Sequence, residues 1–130
     1  MILRREFYER DTLTVAKELL GKFLVNDSEE GTTIGKVVEK EAYIGPEAKA
    51  SHAYNNRRTK RTEVQFGPKG HSYIYQIYGM YICFDVTSGG HAGKPEVILV
   101  RALGSEQALH GHGHIKKTKR CRPVYGTFMH

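Results

Sequence analysis

The sequence has no tryptophan, four prolines and only two cysteines in 130 residues. Two thiols cannot make a disulfide framework, and Cys83 in an apolar run and Cys121 in a basic stretch do not form a spaced metal site; both read as reduced. No apolar run approaches the ~18 residues that a membrane-spanning helix needs. Residues 1–10 turn charged before they can build the apolar segment of a secretory signal, so the expectation is a cytoplasmic protein without membrane contact. Acidic residues are scarce as well, 14 Asp+Glu against 20 Lys+Arg, and the formal charge of +6 draws such a chain towards polyanions. What remains is 39% hydrophobic and includes 8 Tyr and 5 Phe, which excludes disordered, collagen-like and coiled-coil classes and fits one domain.

Residues 11–20 predict a short amphipathic helix. Leu13, Ala16, Leu19 and Leu20 share a face, Asp11 or Thr12 caps the start and Gly21 ends it. Residues 23–25 and 33–43 predict two strands joined by a turn at 26–31, pairing antiparallel. On the second strand, period two places Val37, Glu39, Glu41 and Tyr43 on one face and Val38, Lys40 and Ala42 on the other. A loop runs over residues 45–70, with a helical turn expected near 48–54. Residues 71–87 interleave five aromatics with Ile74, Ile77 and Ile82, a β-forming run with Gly79 as the corner between two strands. Residues 96–103 predict one more strand. The class is therefore α+β, a mostly antiparallel sheet with a few helices and a protruding hairpin, in a single domain over residues 1–103. Residues 104–130 have neither periodicity, hold four of the seven histidines, and read as a disordered basic tail.

Single features say little by themselves. Alternating glutamates on a strand are ordinarily a solvated face, tyrosines in a strand pair are ordinarily packing, and the basic residues Arg57, Arg58, Lys60 and Arg61 are ordinarily a solvated loop. His52 alone is uninformative. The spacing of His110, His112 and His114 lacks a supporting shell and is not read as a metal site.

Their order is informative. Glu41-Ala42-Tyr43, Ala50-Ser51-His52, the basic run after Asn56, Phe66-Gly67-Pro68, Tyr75-Gln76-Ile77-Tyr78-Gly79-Met80 and Val100-Arg101-Ala102-Leu103 together resemble the alkyladenine DNA glycosylases, also called DNA-3-methyladenine glycosylases. The resemblance runs from Phe7 to Leu103. It implies a DNA-repair hydrolase of base excision repair, acting as a monomer on double-stranded DNA and removing alkylated or deaminated purines. The nucleotide would be turned out of the duplex into a pocket, with Tyr78 filling the gap it leaves. The purine would lie between Tyr43 and His52 on one side and Tyr75 on the other, and stacking tolerates many bases. Glu41 would be the general base for a water, with Arg101 helping to hold that water and a phosphate. Arg57, Arg58, Lys60 and Arg61 are the candidate backbone contacts. No metal or cofactor is implied, and no lysine is placed to form a Schiff base, so the bond would be hydrolysed without strand cleavage.

Two departures qualify the resemblance. Asp85 stands where the family has an asparagine that reads the base, and an ionised carboxylate accepts hydrogen bonds but cannot donate them. From Gly104 the chain leaves the family pattern and reads as C-terminally truncated, in the way a shifted reading frame would produce. The alternative function is therefore a damaged-DNA-binding module or an inactive remnant of such an enzyme.

Overall fold

Asp11 starts the longer helix as its sequence suggests: its carboxylate accepts from the backbone N–H of Thr14 at 3.0 Å, satisfying a donor that the first turn leaves free. In the computed structural model, which describes residues 2–29, 31–105 and 128–129, this helix, α2 (Thr12–Leu19), follows a single turn, α1 (Arg5–Tyr8). Six strands follow: β1 (Phe23–Ser28), β2 (Gly31–Tyr43), β3 (Ser72–Ile77), β4 (Tyr81–Thr87), β5 (Val97–Ser105) and β6 (Phe128–Met129). They form one sheet in the order β3-β4-β5-β2-β1-β6, with every neighbouring pair antiparallel. The expected α+β class is what the structure has. No described helix is long and apolar enough to cross a membrane.

The helices cover one face of the sheet. Val15, Ala16 and Leu19 of α2 pack with Leu3 and Tyr8 onto Leu24, Val37, Val86 and Ile98, flanked by Ala42, Phe84 and Val100. Full burial of each such aliphatic side chain contributes about 1.5–3 kcal/mol. The alternation that turns Phe84, Val86, Ile98, Val100 and Ala42 towards the helices turns their neighbours the other way. Tyr73, Asp85, Leu99 and Glu41 pair successively across β3, β4, β5 and β2, so they lie in one row on the opposite face.

The expected facing of β2 needs one correction. Period two puts Val37 with Glu39, Glu41 and Tyr43, yet Val37 is buried in the helix-side core while Ala42 also packs there. The register of β2 against β5 shifts between Val37 and Glu39 and again between Glu39 and Lys40, and this irregularity moves the alternation by one residue. Smaller differences concern boundaries. β1 extends to Ser28, the expected turn near 48–54 ends in a 3-10 turn at Tyr54–Asn56, and a second 3-10 turn, Glu63–Phe66, lies in the long loop. β5 runs to Ser105 and Phe128–Met129 pair with β1. The rest of the expected tail, with Cys121 and the His110, His112 and His114 spacing, lies outside the described residues.

A buried polar knot joins the start of α2 to the loop after β4. Thr12 Oγ1 donates to Glu96 Oε2 at 2.6 Å and meets Ser88 Oγ at 3.0 Å, and Lys94 pairs with Glu96 at 2.9 Å. Gly89 passes beside this knot at φ +115°, its N–H donating to the carbonyl of Tyr8. A Cβ there would come within 2.6 Å of Glu96 Oε2. Gly89→Ala should therefore cost about 2 kcal/mol from backbone strain alone, and a thermal melt should show a Tm roughly 10 °C lower.

Candidate active site

Period two on four adjacent strands brings the chemistry-bearing side chains together. Tyr43 from β2, Tyr73 and Tyr75 from β3, Asp85 from β4 and Val97 from β5 line a shallow cleft of about 220 Å³, open solvent included, which His52 and Gln65 of the long loop complete. All four residues expected to bind a base, Tyr43, His52, Tyr75 and Asp85, are in that lining.

Glu41 lies two residues from Tyr43 and is held at both carboxylate oxygens. The Tyr43 hydroxyl donates to Oε2 at 3.0 Å, and a guanidinium N–H of Arg101 donates to Oε1 at 3.0 Å. Arg101 also pairs with Glu39 at 3.2 Å, so one arginine aligns two carboxylates. Burial, then the hydrogen bond to Glu41 and its charge, push the Tyr43 hydroxyl up to about 12, so it stays a donor at any physiological pH. Each carboxylate oxygen can accept twice, so both retain capacity for a water. The hydrogen bond to Glu41 holds the Arg101 guanidinium above its ordinary range.

The aromatic wall is more tightly joined than its sequence implies. His52 Nδ1 lies 2.7 Å from the Tyr73 hydroxyl, and the His52 ring meets Tyr75 edge-on with centroids 4.7 Å apart. The two rings leave no space for a base between them as they stand. Burial, reinforced by the positive charge of Arg61, pulls the His52 imidazole below its usual value, so it is neutral at pH 7. Burial pushes the Tyr75 hydroxyl up, with the Asp85 charge adding to the effect.

Asp85 is only 2% exposed, and its Oδ1 has no hydrogen-bond partner among the described residues. The Tyr75 hydroxyl donates to the carboxyl and favours ionisation, but burial outweighs it and, with the charge of Glu41, raises the group to about 7. At neutral pH a large part of this carboxyl is therefore protonated, able both to donate and to accept.

The four basic loop residues separate. Arg57 and Lys60 are exposed. Arg58 forms a two-point pair with Glu63 at 2.6 and 2.8 Å and lies over Phe66. The Arg61 guanidinium instead lies 5.6 Å from the centre of the Tyr75 ring, and its charge acts on the Tyr73 hydroxyl, at the cleft. Tyr73 and Gln65 are cleft residues that the sequence reading did not single out. Period two from Tyr75 would have found Tyr73, whereas Gln65 sits on a loop turn with no periodic signal.

Tyr78 stands apart from the cleft, at the tip of the β3–β4 hairpin. Tyr78 and Gly79 take φ of 52° and 71°, and the N–H of Met80 returns to the carbonyl of Ile77. Positive φ is cheap for glycine and strained for tyrosine. The residue is 86% exposed, beside exposed Met80 and Tyr81, so burial among the described residues does not call for an aromatic there.

Comparison with known proteins adds ancestry to this geometry. The model of the methylpurine-DNA glycosylase family matches residues 6–126. A protein of Clostridium acetobutylicum is 54% identical over 103 residues, which are 79% of this chain and 50% of the relative. One of Clostridium botulinum is 56% identical over 103 residues, again 79% of this chain and 50% of the relative. One of Bacillus cytotoxicus is 48% identical over 118 residues, 87% of this chain and 57% of the relative. All three relatives carry the provisional name 3-methyladenine DNA glycosylase. The chain spans about half the length of the curated relatives it matches.

Proposed function

Because the chain belongs to the methylpurine-DNA glycosylase family, we propose that it hydrolyses the bond between a damaged purine and its deoxyribose in double-stranded DNA. The observation that carries this reading is Glu41, a carboxylate aligned at both oxygens by Tyr43 and Arg101 beside an aromatic cleft.

In this reading the damaged nucleotide leaves the stack and its base enters the cleft against Tyr43, His52 and Tyr75. The His52 and Tyr75 rings first part, since they touch in the free protein. A purine nucleotide alkylated at N3 or N7 carries positive charge, which a face of electron-rich rings favours. As the C1′–N bond breaks, its electron pair leaves with the base and positive charge grows on the sugar. Glu41 stabilises that charge and takes one proton from a water, whose oxygen bonds to C1′. The products are a free purine and an abasic sugar, so no cofactor is consumed. Tyr78 at the hairpin tip fills the space the nucleotide vacates, and the exposed bases of the 57–61 loop approach the phosphates.

Two results test the reaction class. Borohydride should trap no protein–DNA imine during release, and the product strand should break only after alkali. Direct strand cleavage, or binding of damaged duplex with no product, would replace hydrolysis with a lyase or with a recognition module. A further variant examines the hydroxyl on Glu41. Tyr43→Phe keeps the stacking ring and removes one charge-assisted hydrogen bond, so single-turnover release should slow about tenfold with lesion affinity unchanged. An equal rate would show that Arg101 alone aligns the carboxylate.

A further inference from the structure

Gln65 lines the cleft but has no part in the reaction above. It reaches the cleft from the 3-10 turn Glu63–Phe66, is 1% exposed, and its Oε1 is buried without a hydrogen-bond partner among the described residues. The turn is held on both sides. The N–H of Gln65 donates to the carbonyl of Thr62 at 2.9 Å, and its own carbonyl accepts from the Lys69 ammonium at 3.2 Å. That ammonium also donates to the carbonyl of Lys94 at 2.5 Å, and the N–H of Gly93 donates to the carbonyl of Phe66 at 2.8 Å, so the turn is tied to the loop before β5. Taking the ammonium of Lys69 out of water is costly, and the two carbonyls it joins are the ones that fix where the Gln65 turn sits. The side-chain amide of Gln65 is therefore presented from a rigid support.

The amide lies at the end of the cleft remote from Glu41. It acts on the Tyr73 hydroxyl, and Tyr73 ends the cross-strand row that starts at Glu41, three strand spacings or about 14 Å away. A purine whose sugar lies at Glu41 brings to that end the atoms farthest from its glycosidic nitrogen, among them the substituent on C6. An amide oxygen only accepts hydrogen bonds, and a buried acceptor without a partner is costly unless a ligand satisfies it. We propose that Gln65 is a specificity-determining residue of the cleft: its Oε1 accepts from the amino group of a 6-aminopurine and disfavours a 6-oxopurine, whose oxygen would face it acceptor to acceptor. A site built to accept from an N–H rejects the analogue that lacks it, because the buried oxygen is then left unpaired. This inference rests on the glycosylase reading above.

The test uses the full chain and two duplexes that differ only in carrying 3-methyladenine, a 6-amino base, or hypoxanthine, a 6-oxo base. Single-turnover release and equilibrium binding are measured for the wild type and for Gln65→Met, an apolar side chain of similar length. The two bases also differ in methylation and charge, but equally for both proteins, so a change in their ratio reports on Gln65. The ratio of 3-methyladenine to hypoxanthine should fall about fivefold or more in the variant, the lower end of what an unsatisfied buried group costs. Release with the same ratio in both proteins overturns the role of Gln65 and leaves the glycosylase reading standing. No release, with a binding ratio that falls in Gln65→Met, supports Gln65 and overturns hydrolysis. No release and an unchanged binding ratio overturn both. If the variant does not melt cooperatively, the side-chain carbonyl carbon resonance of Gln65 in the wild type decides. It should move downfield on binding a duplex with the non-hydrolysable 3-deaza analogue of 3-methyladenine and not on binding the hypoxanthine duplex; equal response to the two duplexes contradicts the proposal.

Discussion

Glu41→Gln is expected to lower single-turnover base release by about 10²–10⁴-fold, the usual contribution of a positioned general base, while damaged duplex still binds. The replacement keeps the side chain's shape and an oxygen to accept from Tyr43, whose ring remains in the cleft wall. It removes the charge that would stabilise the sugar and the site that would take a proton from water. Arg101 loses one partner but keeps Glu39. Because that arginine is half exposed, the loss should leave stability nearly unchanged. Thermal melting therefore separates a chemical defect from a folding defect. Release by Glu41→Gln at the wild-type rate would remove Glu41 from the mechanism and leave Asp85, the other carboxyl in the cross-strand row, to be tried next.

Tyr78→Ser should weaken binding to damaged duplex by about fivefold or more, since stacking of one aromatic on a base contributes about 1–3 kcal/mol. The residue is 86% exposed, and its backbone already occupies the left-handed region. Stability and the cleft should be unchanged, which makes affinity the clean readout. Damage-specific affinity that survives the substitution would make the exposed tip, with Met80 and Tyr81 beside it, a surface feature without a role in opening the duplex. The basic loop behaves differently. Affinity should fall steeply with salt because phosphate contacts release counterions, but Arg58 and Arg61 are engaged within the protein, so Arg57 and Lys60 are the more available contacts.

Sequence legibility followed periodicity. The alternation over 71–87 predicts two strands and a corner at Gly79, and β3 and β4 meet there. The cap at Asp11 and the face of α2 are also visible as a pattern, because both depend on residues a turn apart. Glu41 and Tyr43 share a face by the same arithmetic. The single turn at Arg5–Tyr8 is too short to show a period. The facing of Val37 is hidden because a register irregularity changes parity without leaving a glycine or proline to mark it. Lys69, whose ammonium is buried against the carbonyls of Gln65 and Lys94 and pushed down to about 8 by that burial, reads in sequence as one more surface lysine. The candidate roles came from a family resemblance. The hydrogen bond from Tyr43 to Glu41, the approach of Arg61 to Tyr75 and the burial of Asp85 came from tertiary packing, which spacing along a strand does not encode.

The most direct measurement is single-turnover release of free base from a duplex containing one 3-methyladenine or hypoxanthine, with Glu41→Gln assayed beside the wild type at concentrations that saturate both. The glycosylase reading requires release by the wild type, loss of at least about a hundredfold in the variant, and equal occupancy of duplex by the two proteins. Saturated binding with no release by a cooperatively melting wild-type protein would contradict it, and would make this chain a reader of damaged DNA instead of a hydrolase.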